Sequence, residues 1–405
     1  MPISRLPGTA RSPAHRSAIG LAALGGLLIA LGVAAPAQAA TAWTIVPTPN
    51  RGNYSNELFG AAALSSSSAW AVGSSYDVNL AAPRTLVQRW NGTAWSNVTS
   101  PNATSFYNEL RDVDATSATD AWAVGYANGS SGVNGAPRNT LAMRWNGTAW
   151  SIVATPQPGT QSRELYGVKA LSASDAWAVG WYYETSFTVE PLALHWNGSA
   201  WSQVTTPGPG TRGSSFTAVS GTAPNDVWAV GYYNDTTDTH GLTHPLAMHY
   251  DGATWVNTPM PQTAAGGYLR SVTAVAANDV WAVGSKNGYS TPVAFHWDGS
   301  AWTEVPTAPP GGTGGNNFFY GVSGTASGQV WAVGYKSTGS GSAPLVQRWN
   351  GTAFANETVP APAIGGMLYA VAATTGPTVF SAGTQTDYVD GAFADQTLSI
   401  RGTGS

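Results

Sequence analysis

The chain has 405 residues, of which 43% are hydrophobic and 9% charged, with 48 glycines, 18 tryptophans and no cysteine. The lack of thiols excludes disulfides and thiolate chemistry, so core packing alone must hold a protein of this size together. Seventeen basic against 21 acidic residues give −4; without a leader that carries three arginines the balance is 14 − 21 = −7, which argues against nucleic acid as a partner.

The first 39 residues read as a secretory signal, with Arg5, Arg11 and Arg16, an apolar run from Ala18 to Ala35, and Ala37-Gln38-Ala39 as the cleavage site. The expected organisation is a signal peptide over 1–39 and a single domain over 40–405. The product is secreted, with no membrane segment after cleavage.

Beyond the leader one unit repeats. Trp-Ala-Val-Gly recurs with its Trp at 70, 122, 177, 228, 281 and 331, and Phe380-Ser381-Ala382-Gly383 is a degenerate copy, at spacings of 49 to 55 residues. A repeat of that length cannot bury its own apolar faces alone. Each unit predicts four short strands, in the first copy Leu58 to Leu64, Ala69 to Ser74, Thr85 to Trp90 and Ala94 to Thr99. Asn91-Gly92 between the last two predicts a tight type I′ turn, and the same dipeptide type returns at Asn146, Asn197, Asp251, Asp298 and Asn350. That turn sets Trp90 opposite Thr93 and Gln88 opposite Trp95, with the two tryptophans diagonal on one face. In the second strand Trp122 and Val124 point one way and Ala121 and Ala123 the other, so large and small faces can stack on successive sheets. Meanders of this kind fit the blades of a propeller.

Thr41 to Pro49 nearly copies Thr148 to Pro156, a fourth strand, yet has no first three before it. The last copy, Leu368 to Thr374, Val379 to Gly383 and Thr397 to Arg401, lacks its fourth. The expected fold is therefore all-β: a seven-bladed β-propeller of four-stranded antiparallel blades, its ring closed by the N-terminal strand completing the C-terminal blade.

These W-A-V-G and H-W-N-G-x-x-W repeats resemble, from Thr41 to Arg401, those of secreted bacterial propellers broadly similar to kelch-like and galactose-oxidase-like propellers. The resemblance implies a fold and no single reaction. The hairpin L-A-L-H-W-N-G-S-A-W-S also resembles those of seven-bladed bacterial propeller lectins, over the third and fourth strands only.

Candidate chemistry is sparse. Asp120, Asp175, Asp226 and Asp279 precede the W-A-V-G strand and read as turn chemistry. Arg89, Arg144, His195, His249, His296, Arg348 and Arg401 share one register. On diverging blades they do not converge on a metal and read as charge partners of those aspartates or as polar rims between blades, so no metal and no cofactor are expected. A galactose-oxidase-like copper site needs a tyrosine crosslinked to cysteine, and the chain has none. Glu57, Glu109 and Glu164 recur at the start of the first strand. Paired carboxylates there could serve glycoside cleavage, or could simply pair with Arg163 and its neighbours, and no catalytic residue is assigned.

A ligand is expected on the face where the loops after the W-A-V-G strands gather. Those loops offer Tyr126, Trp181, Tyr182, Tyr183, Phe187, Tyr232 and Tyr233, followed by a polar run from Asn234 to Asp238. Rigid aromatics beside amides and acids suit stacking on a sugar ring. Alternation sends one member of each doubled tyrosine to either side, with Trp181, Tyr183 and Tyr233 taken as the contacts. The sequence thus reads as a secreted, monomeric, non-catalytic propeller binding a glycan or cell-surface polymer, or an extracellular protein. A glycoside-directed hydrolase and a protein-assembly scaffold are the alternatives.

Overall fold

The computed structural model describes residues 41–77, 82–128, 136–185, 188–236, 242–261, 266–286, 291–311, 315–326, 328–389 and 392–404; the expected leader lies outside them. β1 (Ala42–Ile45) comes first. An antiparallel four-stranded sheet follows, made of β2 (Ser55–Ser65), β3 (Ser68–Asp77), β4 (Ala82–Trp90) and β5 (Trp95–Asn97). The next contains β6 (Asn108–Ser117), β7 (Asp120–Asn128), β8 (Arg138–Trp145) and β9 (Trp150–Val153). Then come β10 (Arg163–Ser172), β11 (Asp175–Tyr183), β12 (Val189–Trp196), β13 (Trp201–Val204), β14 (Gly213–Ala223), β15 (Asp226–Asn234), β16 (Thr243–Tyr250) and β17 (Trp255–Asn257). Another sheet holds β18 (Gly267–Ala276), β19 (Asp279–Lys286), β20 (Thr291–Trp297) and β21 (Trp302–Val305). It is followed by β22 (Asn317–Ala326), β23 (Gln329–Thr338), β24 (Gly341–Trp349) and β25 (Phe354–Asn356). Last, β26 (Gly365–Ala373), β27 (Thr378–Val389) and β28 (Ala392–Thr403) combine with β1 in the order β1-β28-β27-β26.

The expectation of seven separate four-stranded blades is corrected by this topology. Five sheets are four-stranded blades, whereas β10 to β17 form one eight-stranded sheet, because β12 and β14 pair in parallel through Val189 and Gly213. Gly213 has φ of 124°, and a Cβ there would stand 2.8 Å from the Val189 carbonyl oxygen. Only a glycine allows that approach. The fold is an all-β propeller with five four-stranded antiparallel blades and, besides them, this one joined eight-stranded sheet.

The W-A-V-G strand explains the packing between sheets. Trp122 and Val124 of β7 lie in one cluster with Ala176 and Ala178 of β11, so a large face meets a small one. The Trp122 ring is held by Trp196 at 4.9 Å and Trp201 at 4.8 Å from the following sheet. Trp228 meets Trp297 at 5.1 Å and Trp302 at 5.5 Å in the same way. The degenerate Phe380 takes Trp90 and Trp95 at 5.8 and 6.0 Å. Each indole is also capped within its own sheet: Arg144 stands 5.3 Å over Trp122, and His249 stacks 4.3 Å from Trp228. Those caps are held by the strand-opening aspartates, Arg144 on Asp120 at 2.8 Å and His249 on Asp226 at 2.9 Å. The repeated Asp and Arg/His register therefore serves packing.

The hairpins differ from expectation. Trp90 pairs with Trp95 and Gln88 with Asn97, so the turn is the four-residue loop 91–94. Asn91 Oδ1 accepts the N–H groups of Thr93 and Ala94, both at 2.9 Å, closing an Asx-type turn in place of the two-residue one. The two indoles consequently face each other directly, with centroids 5.8 Å apart.

At the other end β1 pairs with β28 from Ala42↔Thr403 to Ile45↔Ile400 and buries Trp43. The innermost strands β2, β6, β10, β14, β18, β22 and β26 each touch the next, and β26 touches β2. They are tied by side chains reaching across: Asp112 accepts from the Val168 N–H at 2.9 Å, Ser271 from Val322 at 3.1 Å and Ser323 from Ala373 at 3.0 Å.

Candidate functional site: an axial cavity with a collar

Each innermost strand carries the same irregularity near its middle. The pairing register slips at Phe59, Arg111, Tyr166, Thr217, Arg270, Tyr320 and Tyr369, one residue per strand. A bulge leaves its extra residue out of the ladder and re-aims the side chain. All of these residues line an axial cavity of about 900 Å³, and all also border a narrower space of about 190 Å³ beneath it. They form a collar of four aromatic rings, two guanidiniums and the Thr217 side chain between the two spaces. Above the collar the wall is completed by Trp181, Tyr232, Tyr268, Phe318, Ser215, Asn234 and Thr243. Several of these stand at the ends of β11 and β15 and the start of β16. The wide cavity thus lies towards the β11–β12 and β15–β16 connections.

Arg111 is heavily supported. Its Nη2 lies 2.6 Å from Glu109 Oε1, and its guanidinium stands 4.7 Å from the Phe59 ring and 5.5 Å from Tyr166. Burial works against its charge, but Glu109 and the Tyr126 and Tyr166 hydroxyls outweigh burial and raise its pKa. Glu109 also accepts from the hydroxyls of Tyr107 at 2.8 Å and Tyr126 at 3.1 Å. Burial, then Glu109, pushes Tyr107 up to about 12. The Tyr166 hydroxyl donates to Glu164 at 2.7 Å, and Arg138 pairs with the other oxygen of that carboxylate. Burial and Glu164 raise Tyr166 as well, so it remains a neutral donor.

A side pocket of about 470 Å³ lies between β2 and β6, lined by Tyr54, Glu57, Tyr76, Tyr107 and Glu109 among others. Burial, then repulsion from Glu109 and Asp395, pushes Glu57 up to about 7 against the pull of Arg111. A carboxyl that keeps its proton near neutrality beside one tied to an arginine has the asymmetry that acid–base chemistry uses.

The predicted contacts divide. Trp181 and Tyr232 line the axial cavity. Tyr183 is half-buried and edge-on to Trp181 at 5.2 Å. Tyr126 is buried, 1% exposed, and stacks on Tyr107 at 5.7 Å, so it supports Glu109 from behind the wall. Tyr182 and Tyr233 pack into the clusters between sheets, Tyr233 also stacking on His244 at 5.1 Å. The doubled tyrosines do split, but Tyr232 rather than Tyr233 faces the cavity. Phe187 and residues 237 and 238 of the polar run lie outside the described residues, while Asn234 lines the cavity. Arg163 does not pair with the glutamates; it donates to the carbonyls of Gln157, Pro158 and Gly159 and to Asn139. Among the described residues no group of three or more His, Cys, Asp or Glu could hold a metal.

The collar itself escaped the sequence. Its signal is the variable residue after each buried Leu or Phe of the first strand, as in E-L-F-G, E-L-R-D and E-L-Y-G. Simple alternation hides it, because a bulge shifts the phase at that position.

No family model matches the chain, and no curated protein matches it. Solved structures do. YCF48 bound to D1 peptide is 13% identical, with a TM-score of 0.53, over 90% of this chain and 97% of that one. A polysaccharide lyase, an ulvan lyase bound to -[GlcA(1-4)Rha3S]-, is 10% identical, with a TM-score of 0.54, over 86% of this chain and 95% of that one. An ancestral GH74 enzyme is 13% identical, with a TM-score of 0.50, over 88% of this chain and 48% of that one. These likenesses show the β-propeller fold. No family model ties the chain to kelch-like propellers in particular.

Proposed function

We propose that the protein is a secreted, monomeric binding propeller that takes a glycan or cell-surface polymer into its axial cavity. The observation that carries this reading is the collared cavity of about 900 Å³, lined by rigid rings and, on the side formed by β14 to β16, by the hydroxyls and amide of Ser215, Thr217, Thr243 and Asn234. Aromatic faces stack on the C–H faces of sugars while such polar groups bond their hydroxyls. Propellers similar to this one are described as bound to a peptide and to a uronate-containing sugar repeat, so the fold accommodates an extended polymer of either kind. A glycan array probed with the domain and with the double variant Trp181→Ala/Tyr232→Ala tests it. Hits are expected that vanish in the variant while its melting temperature holds. Hits that survive place the site elsewhere.

The pair Glu57 and Glu109 favours one second reading, a glycoside-directed hydrolase in which protonated Glu57 is the general acid. Release of reducing sugar from a bound polysaccharide, lost in Glu57→Gln with binding retained, supports it; binding without release dismisses it.

A further inference from the structure

The two guanidiniums of the collar are not alike. Arg111 is neutralised by Glu109 at 2.6 Å, and Arg138 on β8 by Glu164. Arg270 on β18, across the ring from Arg111, pairs with no carboxylate among the described residues. One Nη meets the Tyr268 hydroxyl, and its Nε, like that of Arg111, is buried without an acceptor, so the two differ in the carboxylate that Arg270 lacks. The rings of Tyr268 and Tyr320, 4.4 and 5.0 Å away, hold its plane at the edge of the cavity. A half-buried cation with open donors is costly to desolvate until an anion completes it. A guanidinium presents a fork that matches the two oxygens of a carboxylate or sulfate.

We infer that Arg270 receives the acidic group of the ligand, a carboxylate or sulfate ester carried on a sugar chain, so that the protein selects acidic over neutral polysaccharide. This rests on the binding reading above. A sugar fits better than an acidic peptide because the fork is bordered by the rings of Tyr268 and Tyr320 and by Thr217 on the neighbouring strand β14, which suit rings carrying hydroxyls.

The test is calorimetric titration with polygalacturonate and dextran sulfate, with polyglutamate as an acidic peptide, and with dextran and pullulan as neutral polymers, on wild type, Arg270→Gln and Arg270→Lys, each with a melting curve. At least one acidic polymer is expected to bind and the neutral ones not, the two acidic arms telling carboxylate from sulfate. Arg270→Gln should weaken binding by about tenfold or more, and Arg270→Lys should fall between, since an ammonium keeps the charge without the fork. If Arg270→Gln fails to fold, wild type carries the test: raising salt from about 0.05 to about 0.5 M should weaken the acidic polymer by roughly fivefold. Neutral polymers bound as tightly as acidic ones, unchanged binding in Arg270→Gln, or in its place salt-independent binding overturns the inference and leaves the binding reading intact. Polyglutamate bound in place of both acidic polysaccharides overturns it in favour of a peptide. Failure of wild type to bind any of these polymers overturns both.

Discussion

Glu57 ties the site to the stability of the protein. Its pKa rises from the usual 4.5 to about 7, chiefly through burial. Below the lower value both folded and unfolded chains hold the proton and the shift has no effect. As pH climbs from about 4.5 to about 7 the unfolded chain ionises while the folded one does not, so stability falls. Glu57→Gln is expected to match wild type near pH 4 and to exceed it at pH 8 by up to about 3 kcal/mol, read by denaturant unfolding. Asp112, also pushed up to about 7 by burial, contributes the same slope to both proteins. An identical pH dependence in the two would mean that Glu57 ionises normally. The doubled tyrosines show what the sequence could and could not say at this scale. Alternation separates Tyr232 from Tyr233, but which of them faces the axis depends on how β15 sits against β14, and β14 carries a bulge at Thr217. Tyr233→Ala should cost about 2 kcal/mol of stability because it empties a packed position. Tyr232→Ala should lose ligand and little stability, as melting and binding measured on the same samples will show.

Strand periodicity and turn dipeptides located the strands of each repeat but not their grouping into sheets, because apolar alternation and Gly or Asn at the turns are local signals. Loop lengths were less legible. Asn91 accepts from residues two and three ahead, so the dipeptide that suggests a two-residue turn opens a four-residue one, and Trp95 moves from diagonal to opposite Trp90. The bulges were illegible for a related reason: a single inserted residue changes no composition and breaks the period only at its own position. The copied strand at the N-terminus was plain. β1 covers the outer edge of β28 and buries Trp43, so removing 41–50 exposes a row of unpaired backbone groups. Loss of several kcal/mol or aggregation is expected, seen by melting and light scattering. A truncated chain that melts like the full one would show that β1 contributes no stability.

Across the whole molecule, repetition made the architecture readable but not its one joined sheet. The parallel contact of Val189 with Gly213 depends on how the segment between β13 and β14 returns, and no repeat period encodes that. The same holds for the site: each unit supplies one bulged residue, and only the ring assembles them into a collar. Trp181 and the pair Tyr232-Tyr233 stood out as loop aromatics, though the sequence pointed to Tyr233 where Tyr232 lines the cavity, whereas Arg270 and the other collar residues acquire meaning only from their neighbours on other strands. The chain's lack of cysteine allows the central claim, that ligand enters the axial cavity, to be tested directly. Thr243→Cys places a single thiol on the cavity wall, and Ile152→Cys places one on the exposed strand β9 as a control. After labelling with a bulky maleimide, binding to the polymer found on the array is expected to be abolished in the first protein and unchanged in the second; full binding by the labelled Thr243→Cys protein would contradict the account.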